Sequence, residues 1–205
     1  MELDSSGRLW IGTQAGAAVY DGQTWTDYTT ENSGLGEDFI FSIAVEPLPA
    51  GDRVWFGGPN TLSRLDTASD AWQHWYSSTL GLGPGGNADL LVDSQGRLWV
   101  ANLGGGLSVL EADIWTHFRT SNSDIPYNTV RRVMEVAPGE FWVASSYPNE
   151  SGGVVSRFDG ENWSTYYPRR SGYSGAETVA IARGPLGRIW FGTLTAGVDL
   201  YQLED

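Results

Sequence analysis

The sequence predicts an all-β chain, and within that class a β-propeller of five blades of four antiparallel strands with an incomplete last blade. A tryptophan phrase, "GRLWIGT", "DRVWFGG", "GRLWVAN", "GEFWVAS" and "GRIWFGT", places Trp10, Trp55, Trp99, Trp142 and Trp190 at spacings of 45, 44, 43 and 48 residues. A period in that range marks a repeat architecture. A second mark, Trp25, Trp72, Trp115 and Trp163, follows the first four by 15, 17, 16 and 21 residues. Short apolar runs separated by Gly, Asp, Asn and Ser clusters, with no sustained helical spacing, point to many strands joined by turns.

Taken in order, each unit supplies its strands. The first reads "MELD", "GRLWIGT", "AAVYDG" and "TWTDY", with Met1 aligned inside an innermost strand because "MELDSSGRLW" matches "LLVDSQGRLW". The second reads "FSIAVE", "DRVWFGG", "LSRLD" and "AWQHW". "DLLVD", "GRLWVAN", "LSVLE" and "IWTHF" form the third, and "RRVMEVA", "GEFWVAS", "VVSRFDG" and "NWSTY" the fourth. The fifth has "TVAIAR", "GRIWFGT" and "GVDLYQ" but no outermost strand. The repeats fall near residues 1–38, 39–86, 87–128, 129–175 and 176–205, a single domain throughout. Four short strands radially repeated are a propeller blade. Nineteen strands predict a closed five-bladed ring with a three-stranded last blade. An excised arc of a larger ring would instead expose faces and edges open to self-association.

Composition narrows the chemistry. A chain of 205 residues buries roughly 70% of its unfolded surface, enough for a sizeable core. The net charge of −13 opposes nucleic acid and anionic lipid as partners. All 12 basic residues are arginines, so a Schiff-base lysine and a P-loop are excluded, and the absence of cysteine removes thiol chemistry. No apolar run is long enough to cross a membrane, so membrane insertion is not expected. Met1 is followed by Glu2 and no apolar h-region, so no signal peptide is expected in this chain, although a longer parent could carry one.

The phrase G-R-[LI]-W-[IVF]-G-T, followed by G-[GAV]-x-x-x-[YL]-D/E and by "DGQTWTDYTTENSGL", resembles the two-component regulator propeller repeat of bacterial proteins, most closely over Gly7 to Leu35. The resemblance covers essentially the whole chain. It implies a non-enzymatic recognition or sensory module with an extracytoplasmic setting, and no particular ligand. "GRIWFGT" is also similar to the repeat of the streptogramin lyases, propellers that use histidine, an acidic residue and a divalent metal. Here His74 and His117 fall at equivalent places on neighbouring outer strands, where they are expected to be solvated, and no His/Glu constellation accompanies them. No catalytic residue, metal or cofactor is therefore expected. A structural or assembly role, including that of an excised or engineered fragment, is the alternative.

Arg8, Arg53, Arg97 and Arg188 recur before the second strand and are expected to serve its turn. Binding residues are expected at the mouth, the face where outer strands return to inner ones and second strands turn into third ones, because loops on a rigid scaffold are where function concentrates. These loops are expected to diverge. Asn102, Arg131, Tyr147 and Asn149 are the candidate ligand-binding residues. Their aromatic, amide and guanidinium groups suit a small polar ligand, a glycan or a protein.

Overall fold

Nineteen strands in five sheets are present among residues 1–147, 152–168 and 171–202, which the structure, a computed structural model, describes. Blade 1 comprises β1 (Glu2–Leu3), β2 (Leu9–Thr13), β3 (Gly16–Tyr20) and β4 (Trp25–Tyr28), and blade 2 comprises β5 (Ser42–Glu46), β6 (Arg53–Gly57), β7 (Thr61–Asp66) and β8 (Ala71–Tyr76). Blade 3 holds β9 (Asn87–Val92), β10 (Leu98–Asn102), β11 (Gly106–Glu111) and β12 (Ile114–Phe118). In blade 4 lie β13 (Val130–Ala137), β14 (Glu140–Ser146), β15 (Gly153–Phe158) and β16 (Trp163–Tyr166), and blade 5 has only β17 (Thr178–Arg183), β18 (Ile189–Thr193) and β19 (Val198–Tyr201). Strand order within every sheet is chain order, and the pairings are antiparallel. The architecture is a β-propeller whose last blade is incomplete.

The first hairpin of a blade is set by one carboxylate. Asp4 Oδ1 accepts the Ser6 and Arg8 amides at 3.0 and 2.8 Å, while Oδ2 accepts Arg8 Nε at 2.6 Å and the Trp10 indole at 2.9 Å. Asp93 repeats the arrangement with Gln95, Arg97 and Trp99. Arg8 and Arg97 thus belong to the turn and lie over the faces of Trp10 and Trp99 at 5.6 and 5.4 Å. In blade 2 Glu46 takes the same role toward Arg53 and Trp55. Blade 5 has Gly184 at this position and a 3₁₀ turn, Pro185–Gly187.

Period-2 alternation then sorts the blade faces. On β2, β10 and β14 the tryptophan points toward the following blade, so Trp10 meets Phe56 at 5.8 Å, Trp99 meets Phe141 at 4.3 Å and Trp142 meets Phe191 at 5.1 Å. Residues on either side of the tryptophan point back, and the outer-strand tryptophans do the same, Trp72 reaching Tyr28 and Trp163 reaching Phe118. Four apolar clusters result, between blades 1 and 2, 2 and 3, 3 and 4, and 4 and 5. Polar clasps reinforce two of them. Ser5 donates its amide and hydroxyl to Asp52 of blade 2, and Ser94 does the same to Glu135 of blade 4.

Among the described residues the closed ring expected from the sequence is not formed. No apolar cluster joins blade 5 to blade 1 among the described residues, and Trp190 is 37% exposed where Trp10, Trp55, Trp99 and Trp142 are at most 3% exposed. Among the described residues no blade packs over the Trp190 face. Trp25, on the opposite face of blade 1, is likewise 53% exposed.

Candidate binding cleft at the loop-rich face

Mouth loops between blades were expected to diverge, yet two share one design. After β4, Thr29 receives its cap from Asn32 Oδ1, Asn32 Nδ2 donates to Asp27 O, and Ser33 Oγ donates to Thr29 O. After β12, Arg119, Asn122, His117 and Ser123 repeat each contact. Each return loop also lowers one apolar side chain into the core, namely Leu35, Leu82, Ile125 and Tyr173, all at least nine-tenths buried. The glycine of "NSGL" is required there: a Cβ on Gly34 would lie 2.2 Å from the Trp72 Cβ. Packing against the next blade therefore constrains loops that looked free.

A broad concavity, about 980 Å³, opens on this face between blades 2 and 3. Its walls are the loop after β4 (Gly36, Glu37), the β6–β7 turn (Pro59, Asn60, Thr61), the loop after β8, and the β10–β11 turn. Glu37 Oε1 accepts the Asn60 and Thr61 amides at 2.8 and 2.6 Å and fixes one wall. Arg119 fixes the other, donating from Nε to Gly105 O at 3.1 Å and from Nη2 to Gly81 O. Its guanidinium makes no ion pair with a carboxylate among the described residues. Tyr76 stands at the rim with 61% of its surface exposed. The cleft thus offers an aromatic face, a cation and many backbone polar groups within glycine-rich walls.

The residues singled out from the sequence lie elsewhere or behind this wall. Asn102 is fully buried: its Oδ1 caps the Gly104 and Gly105 amides at 3.0 and 2.7 Å, and its Nδ2 donates to Gly83 O and Asn87 Oδ1. It shapes the cleft from inside. Arg131 and Tyr147 are brought to the mouth of blade 4, with Arg131 Nε donating to Ser146 Oγ at 2.7 Å and paired at 2.5 Å with Glu177 of blade 5. Tyr147 stands edge-on to Tyr127 at 5.2 Å. Asn149 lies outside the described residues.

His117 is not the solvated residue expected. It is half-buried, stacks parallel to Trp115, and its Nδ1 lies 2.8 Å from the hydroxyl of the fully buried Ser108. Burial, helped by the Arg119 charge, holds its pKa below the usual histidine value. His74 is exposed, with Nδ1 3.2 Å from Gly34 O.

Tyr76 and Arg119 occupy one repeat position, four residues past the outer-strand tryptophan, where the other blades have Thr29 and Tyr167. Chemical variation at a fixed structural place, just where the strand becomes a mouth loop, is the signal in the sequence that could have found them.

No family model and no curated protein matches the chain. Among solved structures it is similar to the extracellular domain of a one-component system protein of B. thetaiotaomicron, with 18% identity over 98% of this chain and a TM-score of 0.72. The extracellular domain of a hybrid two-component system protein of the same organism is 19% identical over 96% of the chain, with a TM-score of 0.60. YCF48 bound to D1 peptide is 14% identical over 98% of the chain, with a TM-score of 0.63. The chain spans 25% and 32% of the lengths of the two bacterial domains and 62% of YCF48. These likenesses share the fold.

Proposed function

We propose that this chain is a non-enzymatic recognition module of an extracytoplasmic sensory protein, and that the cleft between blades 2 and 3 takes a segment of a protein partner bearing an acidic group. The observation that carries the reading is Arg119, a guanidinium without a carboxylate partner among the described residues, facing the same cleft as the exposed Tyr76 ring. A guanidinium so placed suits a carboxylate, because two parallel N–H groups match its two oxygens. Glycine-rich walls let a partner backbone approach closely. The resemblance to the two-component regulator propeller repeat and the extracellular bacterial domains of the same fold support the setting, and the peptide-bound YCF48 supports a peptide as the class of ligand.

A displayed library of random peptides tests it, with affinities of the selected sequences measured by calorimetry. Enriched peptides should carry Asp, Glu or a free carboxyl terminus, and Tyr76→Ala should weaken them at least tenfold, about 1.4 kcal/mol, without lowering the melting temperature. Selection of peptides indifferent to Tyr76→Ala, or a chain that binds only glycans on a printed array, would overturn the reading.

A further inference from the structure

We propose that the interface between blades 2 and 3 holds a binding site for a small aromatic monocarboxylate, at the end of the molecule opposite the mouth. The aromatic half of this ligand follows from the way other blades close. At two interfaces the ring three residues past one outer-strand tryptophan reaches the outer-strand tryptophan of the next blade. Tyr28 meets Trp72 at 5.4 Å, and Phe118 meets Trp163 at 6.0 Å. Trp75 and Trp115 occupy those two places between blades 2 and 3, and no ring contact joins them. Trp75 stacks instead on Trp55 of its own blade and Trp115 on His117 of its own, and both line a void of about 220 Å³ together with Leu62, Leu80 and Leu110.

Blade 3 flanks Trp99 with Leu98 and Val100, so no phenylalanine enters against Trp55 as Phe56, Phe141 and Phe191 enter against the tryptophans before them. An apolar cavity of about 150 Å³ accepts benzene. The larger void here therefore has room for one aromatic ring or a fused pair. A ring placed there restores the column of rings that the neighbouring interfaces contain, at the centroid separations of roughly 4.5–7 Å that aromatic pairs favour.

The carboxylate half follows from blade 4. There Arg157, opposite Trp142 across the β14–β15 ladder, is held at 2.8 and 3.0 Å by Glu140, two residues before that tryptophan. Arg64 stands in the same relation to Trp55, but the residue two before Trp55 is Arg53. Blade 2 thus puts a second guanidinium where blade 4 puts the neutralising carboxylate. Arg64 lies over the rings of Trp55 and Trp75 at 5.4 and 5.6 Å, donates to Gln73, and makes no ion pair among the described residues. Arg53 donates from Nη1 to Glu46 at 3.3 Å, while its Nε is buried with no hydrogen-bond partner among the described residues.

Both arginines line a polar recess of about 370 Å³ that shares Trp55, Arg64, Leu110 and Asp113 with the void. A ligand whose ring enters the void carries its carboxylate to Arg64 and supplies there what Glu140 supplies in blade 4, through paired N–H donors. Stacking against two indoles orients the guanidinium beforehand. Glu46 is engaged by Arg53 and the Trp55 indole, and Asp113 stands exposed at the lip, where its charge disfavours a second carboxylate on the ligand.

Calorimetric and saturation-transfer NMR titrations with phenylacetate and naphthylacetate test the site. Each should bind at one site, and phenylacetamide, which lacks the charge, and cyclohexylacetate, which lacks the aromatic ring, should bind at least tenfold more weakly. Arg64→Gln should weaken both arylacetates at least tenfold and leave phenylacetamide unchanged, a split that general loss of structure would not give. Leu110→Phe, which fills the void from its wall, should abolish binding while far-ultraviolet spectra and the melting temperature are retained. No saturation transfer to either arylacetate at millimolar concentration, equal binding of the amide or cyclohexyl analogue, or arylacetate binding unmoved in folded Arg64→Gln would each overturn the proposal.

Discussion

Asp4 and Asp93 show how one carboxylate sets a hairpin, an arginine and a core tryptophan together. Burial acts to raise their pKa values, but the indole, amide and guanidinium donors outweigh it and hold both below the usual aspartate range. The folded state therefore binds fewer protons there than the unfolded chain. The associated stability is present above the ordinary aspartate pKa and is lost as pH falls through the carboxylate range. Asp93→Asn should cost about 2 kcal/mol at neutral pH by urea unfolding, the scale of hydrogen bonds to a charged group, and should flatten the acid limb. Asp89 behaves oppositely. Burial pushes its pKa up to about 6 despite the Arg132 charge and the Val133 amide. Its folded pKa is raised, so its ionisation costs stability above about pH 6, and that cost is relieved as pH falls toward the unfolded value. His117, whose pKa is lowered, opposes this as pH falls below neutral, so the readout is a difference. Asp89→Asn should gain stability relative to the wild type at pH 7 and lose that advantage by pH 4. His117→Ala should cost about 1 kcal/mol, because Ser108 is then left buried without its partner.

At the scale of elements, the second strands were the most legible part of the sequence. A tryptophan flanked by apolar residues can satisfy two opposed interfaces in one way only, and the five phrases stand on β2, β6, β10, β14 and β18. The turn role of Arg8 and Arg97 was legible for the same reason, since Asp, Gly, Arg and Trp recur at fixed offsets. Asn102 was not. Its amide reads as a ligand group in isolation, but the glycines that follow it create two backbone donors which it caps. The return loops misled in the opposite sense, because "TTENSGLG" and "RTSNSDIP" share few letters while the Asn and Ser that build the turn coincide. Asn122→Ala should therefore cost about 1 kcal/mol in thermal or urea unfolding, as loss of a cap usually does. Gly34→Ala should cost more, because its Cβ would collide with the fixed base of Trp72 and not with a movable tip.

Considered as a whole molecule, the described chain is a succession of five blades in which each packs on the next. Stability in such arrays is close to a sum of unit and nearest-neighbour terms, so end units open first. Blade 5 has one interface and three strands, whereas blade 3 has two interfaces and four strands. Amide exchange in dilute solution should be fastest across β17 to β19 and slowest across β10 and β14. Trp99→Ala should cost about 3 to 5 kcal/mol as a large core truncation. Trp190→Ala should cost under about 1 kcal/mol in the monomer, in keeping with its exposure. Equal losses for the two tryptophans would mean that blade 5 is covered in solution.

The alternation of faces imposes a parity rule on the lengths this chain tolerates. Removing or adding one residue within β6, β10 or β14 would exchange the forward and backward sets downstream, presenting the tryptophan to the wrong neighbour. The intervals between tryptophans nevertheless range from 43 to 48 residues, odd and even alike. That freedom must reside in the turns, which absorb length without altering which way the next strand begins. In a scan of single-codon insertions, survivors should gather between strands, at sites such as Ser78 and Asn60, and vanish within two residues of Trp55, Trp99 and Trp142. Double insertions in those strands should be less damaging than single ones, a signature that belongs to orientation and not to length.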